Sequence, residues 1–141
     1  MRQGKFSRTW KASVLTKKQR KYVYNAPFHI KSKFMSSHLS KDLSEKYGMR
    51  NIEVRKDDKV KIVRGQFKGK TGKISRADVK HTKIYVEGIE LFKKDGSKSQ
   101  FPIHPSKVII TELALGDKRR MKHVKKEITK KTATGGKVKN G

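Results

Sequence analysis

The sequence predicts a mainly β chain, in which about five short strands curl into a small barrel between two basic extensions that are partly helical. Three observations carry this reading. Apolar residues recur at every second position in Val60 and Ile62, in Ile84 and Val86, and in Val108 and Ile110, the period of a strand with one buried face. The runs are joined by small glycine-containing connections, Arg64-Gly65-Gln66-Phe67-Lys68-Gly69 and Asp95-Gly96 among them. The charge is also uneven. Residues 53–113 hold 15 basic and 8 acidic groups, whereas residues 1–52 hold 13 against 2 and residues 114–141 hold 10 against 2. These shifts divide the chain into an N-terminal extension, 1–52, a barrel, 53–113, and a C-terminal extension, 114–141.

In chain order, the basic run Lys17-Lys18-Gln19-Arg20-Lys21 precedes Tyr22-Val23-Tyr24, a segment that forms a short helix on a partner and has no core of its own to fold around. Pro27 opens a second helical stretch in which Ile30 and Phe34 share a face. A third helix has Ser40 as its N-cap, Asp42 against the helix dipole, Leu39, Leu43 and Tyr47 along one face, and Gly48 as its stop. In the first barrel strand Val60 and Ile62 point inward and Lys61 outward. The two glycines of the following loop take positive φ at little cost, and Gly72 inside the next strand marks a bulge or a close backbone approach. Asp95-Gly96 reads as a two-residue hairpin turn, and His104-Pro105-Ser106 punctuates the chain before the strand in residues 107–113. An open sheet of five such strands buries too little. Closure, SH3-like or OB-like, gives one interior shared by Val60, Ile62, Ile74, Ile84, Val86, Val108 and Ile110. Beyond it, Met121, Val124 and Ile128 fall at helical spacing after a candidate Asp117 cap and among Lys118, Arg119, Arg120 and Lys122, which predicts a helix on binding. Residues 132–141 read as a loose tail.

Composition excludes more than it specifies. The 141 residues carry 38 Lys and Arg against 12 Asp and Glu, a net charge of +26, and contain no Cys. Thiolate metal sites and thiol nucleophiles are therefore absent. The basic, polar N-terminus gives no secretory signal, and no apolar run exceeds the three residues of Val108-Ile109-Ile110, too short for a membrane-spanning helix. The five histidines are scattered, no Walker loop or nucleophile elbow occurs, and the glycines at 65, 69 and 72 miss the dinucleotide spacing. Adjacent Asp57 and Asp58 fit turn formation or pairing with Arg55 and Lys56 better than acid–base chemistry. No enzyme, cofactor or metal is expected.

A solvated surface interleaves both signs, so this excess points to a polyanion, with counterion release as a driving force. Tyr22, Tyr24, Phe28, Phe34 and Phe67 lie beside basic residues, an arrangement suited to base stacking or to packing on the protein's own scaffold. RNA is favoured over DNA, because extensions without cores fold into irregular RNA and no recognition helix, zinc finger or zipper is present. A transcription or chromatin module, a cationic membrane-surface protein and an RNA enzyme are the rival classes.

The run from Asp57, Asp-Asp-Lys-Val-Lys-Ile-Val-Arg-Gly-Gln-Phe-Lys-Gly-Lys-Thr-Gly-Lys-Ile, resembles the KOW motif of SH3-like barrels. With Asn25-Ala26-Pro27-Phe28-His29-Ile30, Met35-Ser36-Ser37-His38-Leu39-Ser40-Lys41, Val54-Arg55-Lys56-Asp57-Asp58 and His104-Pro105-Ser106-Lys107-Val108-Ile109-Ile110-Thr111, it is similar to a large-subunit ribosomal protein family. That family is number twenty-four in universal naming and twenty-six in older eukaryotic naming. The resemblance covers about residues 17–120. It implies a structural constituent that binds the 5′ domain of large-subunit ribosomal RNA near the rim of the peptide exit tunnel, with no enzymatic step. It places Lys17, Lys18, Arg20, Lys21, His29, Lys31, Lys33, Arg55, Lys56, Arg64, Lys68, Lys70, Lys73, His104 and Lys107 against RNA, together with Arg119 and Arg120 of the C-terminal extension. Implied partners are ribosomal RNA, neighbouring large-subunit proteins and nascent-chain factors at the tunnel, with no membrane insertion and no homo-oligomer. The implied location is the cytoplasmic ribosome, with nucleolar assembly in a eukaryote. Residues 1–16 and 132–141 depart from the family pattern.

Overall fold

Every second residue of the central strands points into one interior, and the sheet bends until that interior is enclosed. The computed structural model describes residues 6–7, 13–117 and 120. Strand β3, Lys59–Ile62, buries Val60 and Ile62 and exposes Lys61. It pairs antiparallel with β4, Thr71–Asp78, and with β8, Val108–Glu112. Strand β4 goes on to pair with β5, Lys83–Val86, with a register shift between Ile74 and Arg76 that lets one strand turn from one wall to the next. On the far side, Ile84 and Ile103 exchange backbone hydrogen bonds of 2.8 and 2.9 Å. From Ile103 a 3-10 turn, Pro105–Lys107, leads into β8, so the chain closes the space between β5 and β8. Val60, Ile74, Ile84, Val86 and Ile110 are fully buried in the resulting core. The fold is mainly β and barrel-like, as the alternating pattern predicts.

Gly72 makes the close approach expected of it. A Cβ there would lie 2.7 Å from the Glu87 carbonyl oxygen and 2.8 Å from a Val86 methyl. The turn at Asp95-Gly96 differs from the expected two-residue form. Strands β6, Glu90–Phe92, and β7, Lys98–Gln100, are joined through Lys94-Asp95-Gly96, with Gly96 donating to the Lys93 carbonyl and Lys93 to that of Ser97. This is a turn followed by a left-handed residue, Gly96 at φ 80°, which takes one residue more.

Two strands were not anticipated. Strand β1, Ser36–Leu39, runs parallel to β8 and antiparallel to β2, Asn51–Glu53, giving the order β2-β1-β8-β3-β4-β5. The buried Ser37 hydroxyl donates to the Val108 carbonyl at 2.6 Å, so a polar side chain occupies an inward position of β1. Leu39, expected on the third helix, instead ends this strand and is buried from there. That helix, α3, covers Lys41–Tyr47 with Ser40 accepting from the Leu43 N–H and Gly48 left-handed at φ 63°. Residues 36–39 and 51–53 thus hydrogen-bond the expected extension, residues 1–52, to the expected barrel. Helix α1, Thr16–Asn25, buries none of its residues, and α2, Phe28–Phe34, buries Ile30. Tyr22 on α1 meets Phe6 and Phe34, with ring centroids 4.9 and 6.2 Å away.

Asp58 has a role the sequence did not reveal. Its carboxylate is fully buried and receives the Arg55 and Ala114 N–H groups, both at 2.9 Å, and the Arg120 guanidinium at 2.6 and 2.8 Å. The Arg55 side chain pairs with Asp117 instead of with Asp58. Asp57 does form the expected turn, at φ 68°. Of the helix expected after Asp117, only Arg120 lies within the described residues, and it is helical.

Candidate nucleic-acid interface

The loop between β3 and β4 is closed by its own backbone. Ile62 N–H donates to the Lys70 carbonyl and Gly69 N–H to that of Ile62, at 2.9 and 2.8 Å. Gly65 and Gly69, at φ 96° and 91°, make the reversal possible with open space around both. Phe67 turns inward onto Phe101, centroid to centroid 5.2 Å, and Lys70 lies 5.3 Å from the Phe67 ring centre. With the aromatic side chain holding the loop down, Arg64, Lys68 and Lys70 face solvent.

Beside this loop is a cleft of about 350 Å³, lined by Arg64, Phe67, Lys83, Phe101, His104 and Lys107 and by no carboxylate. Its two sides are joined where Val63 N–H donates to the Lys107 carbonyl at 2.9 Å, which brings the β3–β4 loop next to the 3-10 turn. His104 caps that turn, its Nδ1 accepting from the Ser106 N–H at 3.2 Å and lying 2.9 Å from the Ser106 hydroxyl. Burial first, and then the nearby Lys83 and Lys107 charges, hold the imidazole below its ordinary pKa of 6.5. The two lysine charges, though not burial, are of the sign that attracts an anion. The cleft thus presents Arg64, Lys83 and Lys107 together with the apolar rings of Phe67 and Phe101, a lining chemically suited to phosphate oxygens.

The structure brings Arg64, His104 and Lys107 of the sequence-predicted set into one cleft, with Lys68 and Lys70 on the adjoining loop. Lys73 is exposed on β4, and Lys56 lies exposed ahead of β3. Lys17, Lys18, Arg20 and Lys21 belong to α1, none of them buried, and His29 and Lys33 are exposed on α2, where Lys31 is half-buried. Arg55 is partly engaged by Asp117. Arg120 lies apart from the cleft: it is 4% exposed, and its guanidinium is directed at Asp58 and at the Glu53 and Ala114 carbonyls. Arg119 lies outside the described residues. Lys83 was missed, although its place one residue before inward-facing Ile84 is an outward position of the same alternating pattern.

Over residues 13–127 the sequence matches the family described as ribosomal proteins L26 of eukaryotes and their archaeal L24-type counterparts. The chain belongs to this family. It is 50% identical over 103 residues to the large ribosomal subunit protein uL24 of Korarchaeum cryptofilum (strain OPF8), a match covering 73% of this chain and 79% of that protein. The family match spans the whole barrel, all three helices and Arg120. The family consists of structural ribosomal proteins rather than enzymes. Among the described residues, no group of three His, Asp or Glu side chains is placed to hold a metal ion, and no helix is long and apolar enough to cross a membrane.

Proposed function

We propose that the chain serves the cytoplasmic ribosome by binding large-subunit ribosomal RNA through the carboxylate-free cleft and the β3–β4 loop, joining RNA segments of the 5′ domain near the exit-tunnel rim. The observation that carries this is the convergence of Arg64, Lys83, His104 and Lys107 on one concave surface whose lining contains no acid. Phosphates supply the opposite charge, and the basic extensions occupy neighbouring RNA grooves, while adjacent large-subunit proteins complete the contacts. The mechanism is scaffolding. Cations between RNA helices offset phosphate repulsion as those helices are brought together.

The test is binding of a 5′-domain RNA fragment across a salt series. Replacing Arg64, Lys68 and Lys70 by Glu should weaken binding while leaving the barrel's unfolding midpoint nearly unchanged. The slope of log K against log salt should become shallower by roughly one for each phosphate contact removed. Lys59→Ala is the control, because its Nζ already pairs with Glu112 at 2.8 Å. Wild-type affinity in the triple variant would remove the loop from the site. Sedimentation of a lysate in moderately high salt tests residence directly: migration with large subunits supports the reading, and migration with chromatin, polymerase or light fractions overturns it.

A further inference from the structure

Helix α1 presents Thr16, Gln19, Arg20 and Val23 on one face, at the helical spacing of three and four residues. That face stands opposite the β4–β5 turn, and between them runs an open groove of about 790 Å³. Its cations are Arg20, Lys31 and Lys80, with His81 on the turn, and among the described residues no carboxylate lines it. Its apolar surfaces face water. Tyr24 is 82% exposed and Val14 94%, although both line the groove. Tyr24 shares the groove lining with three cations, whereas Tyr22 of the same helix is engaged by Phe6 and Phe34.

We propose that this groove receives unstacked bases of a single-stranded RNA segment, with Tyr24 as the stacking platform and Arg20, Lys31 and Lys80 on the flanking phosphates. An A-form duplex offers no free base face to a ring of this kind, whereas a loop, bulge or junction strand does. Charge complementarity selects a polyanion over an apolar peptide, and the exposed ring selects a strand over a duplex. This inference rests on the RNA-binding reading and adds the form of RNA that α1 takes.

The experiment uses the full chain with two probes: a single-stranded RNA oligonucleotide carrying 2-aminopurine, and the same oligonucleotide annealed to its complement. Binding of the single strand should quench the 2-aminopurine fluorescence. Tyr24→Ala should lower affinity for the single strand about ten-fold or more and abolish the quenching, with duplex affinity changed less than about two-fold. Tyr24→Phe, which keeps the ring, should restore both signals. Tyr24 is so exposed that neither change should alter the unfolding midpoint. Undiminished single-strand binding in Tyr24→Ala overturns the proposal and leaves the groove to a neighbouring protein; an equal loss on strand and duplex overturns the stacking role. Failure of the wild-type chain to bind either probe would instead sink the RNA reading beneath it.

Discussion

Replacing Arg120 by Met tests whether that residue belongs to the barrel or to the RNA. Asp58 is fully buried and accepts four hydrogen bonds, two from Arg120 and two from the backbone N–H groups of Arg55 and Ala114. Methionine keeps much of the side-chain volume but leaves the carboxylate buried with two neutral donors and no countercharge. Breaking a buried ion pair in this way costs about 3–5 kcal/mol. The remaining backbone donors put the expected loss near the lower end, about 3 kcal/mol, out of ~5–15 kcal/mol for a domain of this size. With a urea slope of about 1.5 kcal/mol/M, the midpoint should fall by about 2 M.

The assay is urea unfolding followed by far-UV circular dichroism, alongside RNA binding without denaturant. Adding Asp58→Asn to Arg120→Met removes the stranded charge, so the double variant should be more stable than the sum of the single losses by about 1–3 kcal/mol. RNA affinity of folded Arg120→Met should stay within about two-fold of wild type. A stability loss under about 1 kcal/mol, or reduced RNA affinity with stability intact, would refute the structural assignment and return Arg120 to the RNA-binding set.

Four further outcomes are expected. Gly72→Ala forces a methyl to 2.7 Å from the Glu87 carbonyl oxygen, which should part β4 from the residues after β5 and cost about 2 kcal/mol, read as a Tm about 10 °C lower. Thr82 is β-branched and held at φ 55°; Thr82→Asn suits the left-handed region better and should stabilise the fold by about 0.5–1 kcal/mol, with an unchanged or lower Tm counting against the strain. His104, depressed below 6.5, binds fewer protons folded than unfolded, so its contribution is fully present above pH 6.5 and is lost as pH falls through the folded pKa; His104→Gln should flatten that slope in a pH series of unfolding curves. A phosphate in the cleft reverses the local field, so the His104 ring protons should titrate at higher pH with RNA bound than without, and an unmoved titration would place the phosphate elsewhere.

Alternation made the barrel legible, because Val60, Ile62, Ile84, Val86, Val108 and Ile110 each have an inward position and a polar or amphipathic neighbour to mark it. Strand β1 was hidden by the same logic. Its central inward residue is Ser37, whose hydroxyl is satisfied by a carbonyl 71 positions away, and no local pattern announces such a partner. Asp58 and Arg120, separated by 62 positions, were invisible as a pair for the same reason: in sequence one is half of an acidic doublet and the other part of a basic run. The interface cations divide in the same way. Arg64, Lys68 and Lys70 sit in a loop whose glycines mark it, whereas Lys83 takes its meaning from Ile103, which pairs with neighbouring Ile84 and carries the chain on to His104 and Lys107.

The placement of acids explains why so basic a chain still has an addressable surface. Asp58 closes the barrel against Arg120, Glu112 pairs with Lys59, and Asp117 pairs with Arg55. Asp78 accepts from the His81 backbone and pairs with its ring, Asp95 accepts from Ser97, and Asp42 lies in the first turn of α3. Each is engaged in holding a turn, a helix end or a strand pair, and none lines the barrel cleft or the α1 groove. Net charge alone makes a protein adhere to any polyanion. With these carboxylates held elsewhere, the cleft and the groove are two concave surfaces lined by cations and, among the described residues, by no acid. Burial first, and then the Lys83 and Lys107 charges, hold His104 in that cleft below its ordinary pKa. On the proposed RNA-binding reading the same lysines attract a phosphate, and the shape of the cleft and groove decides which phosphates can be reached.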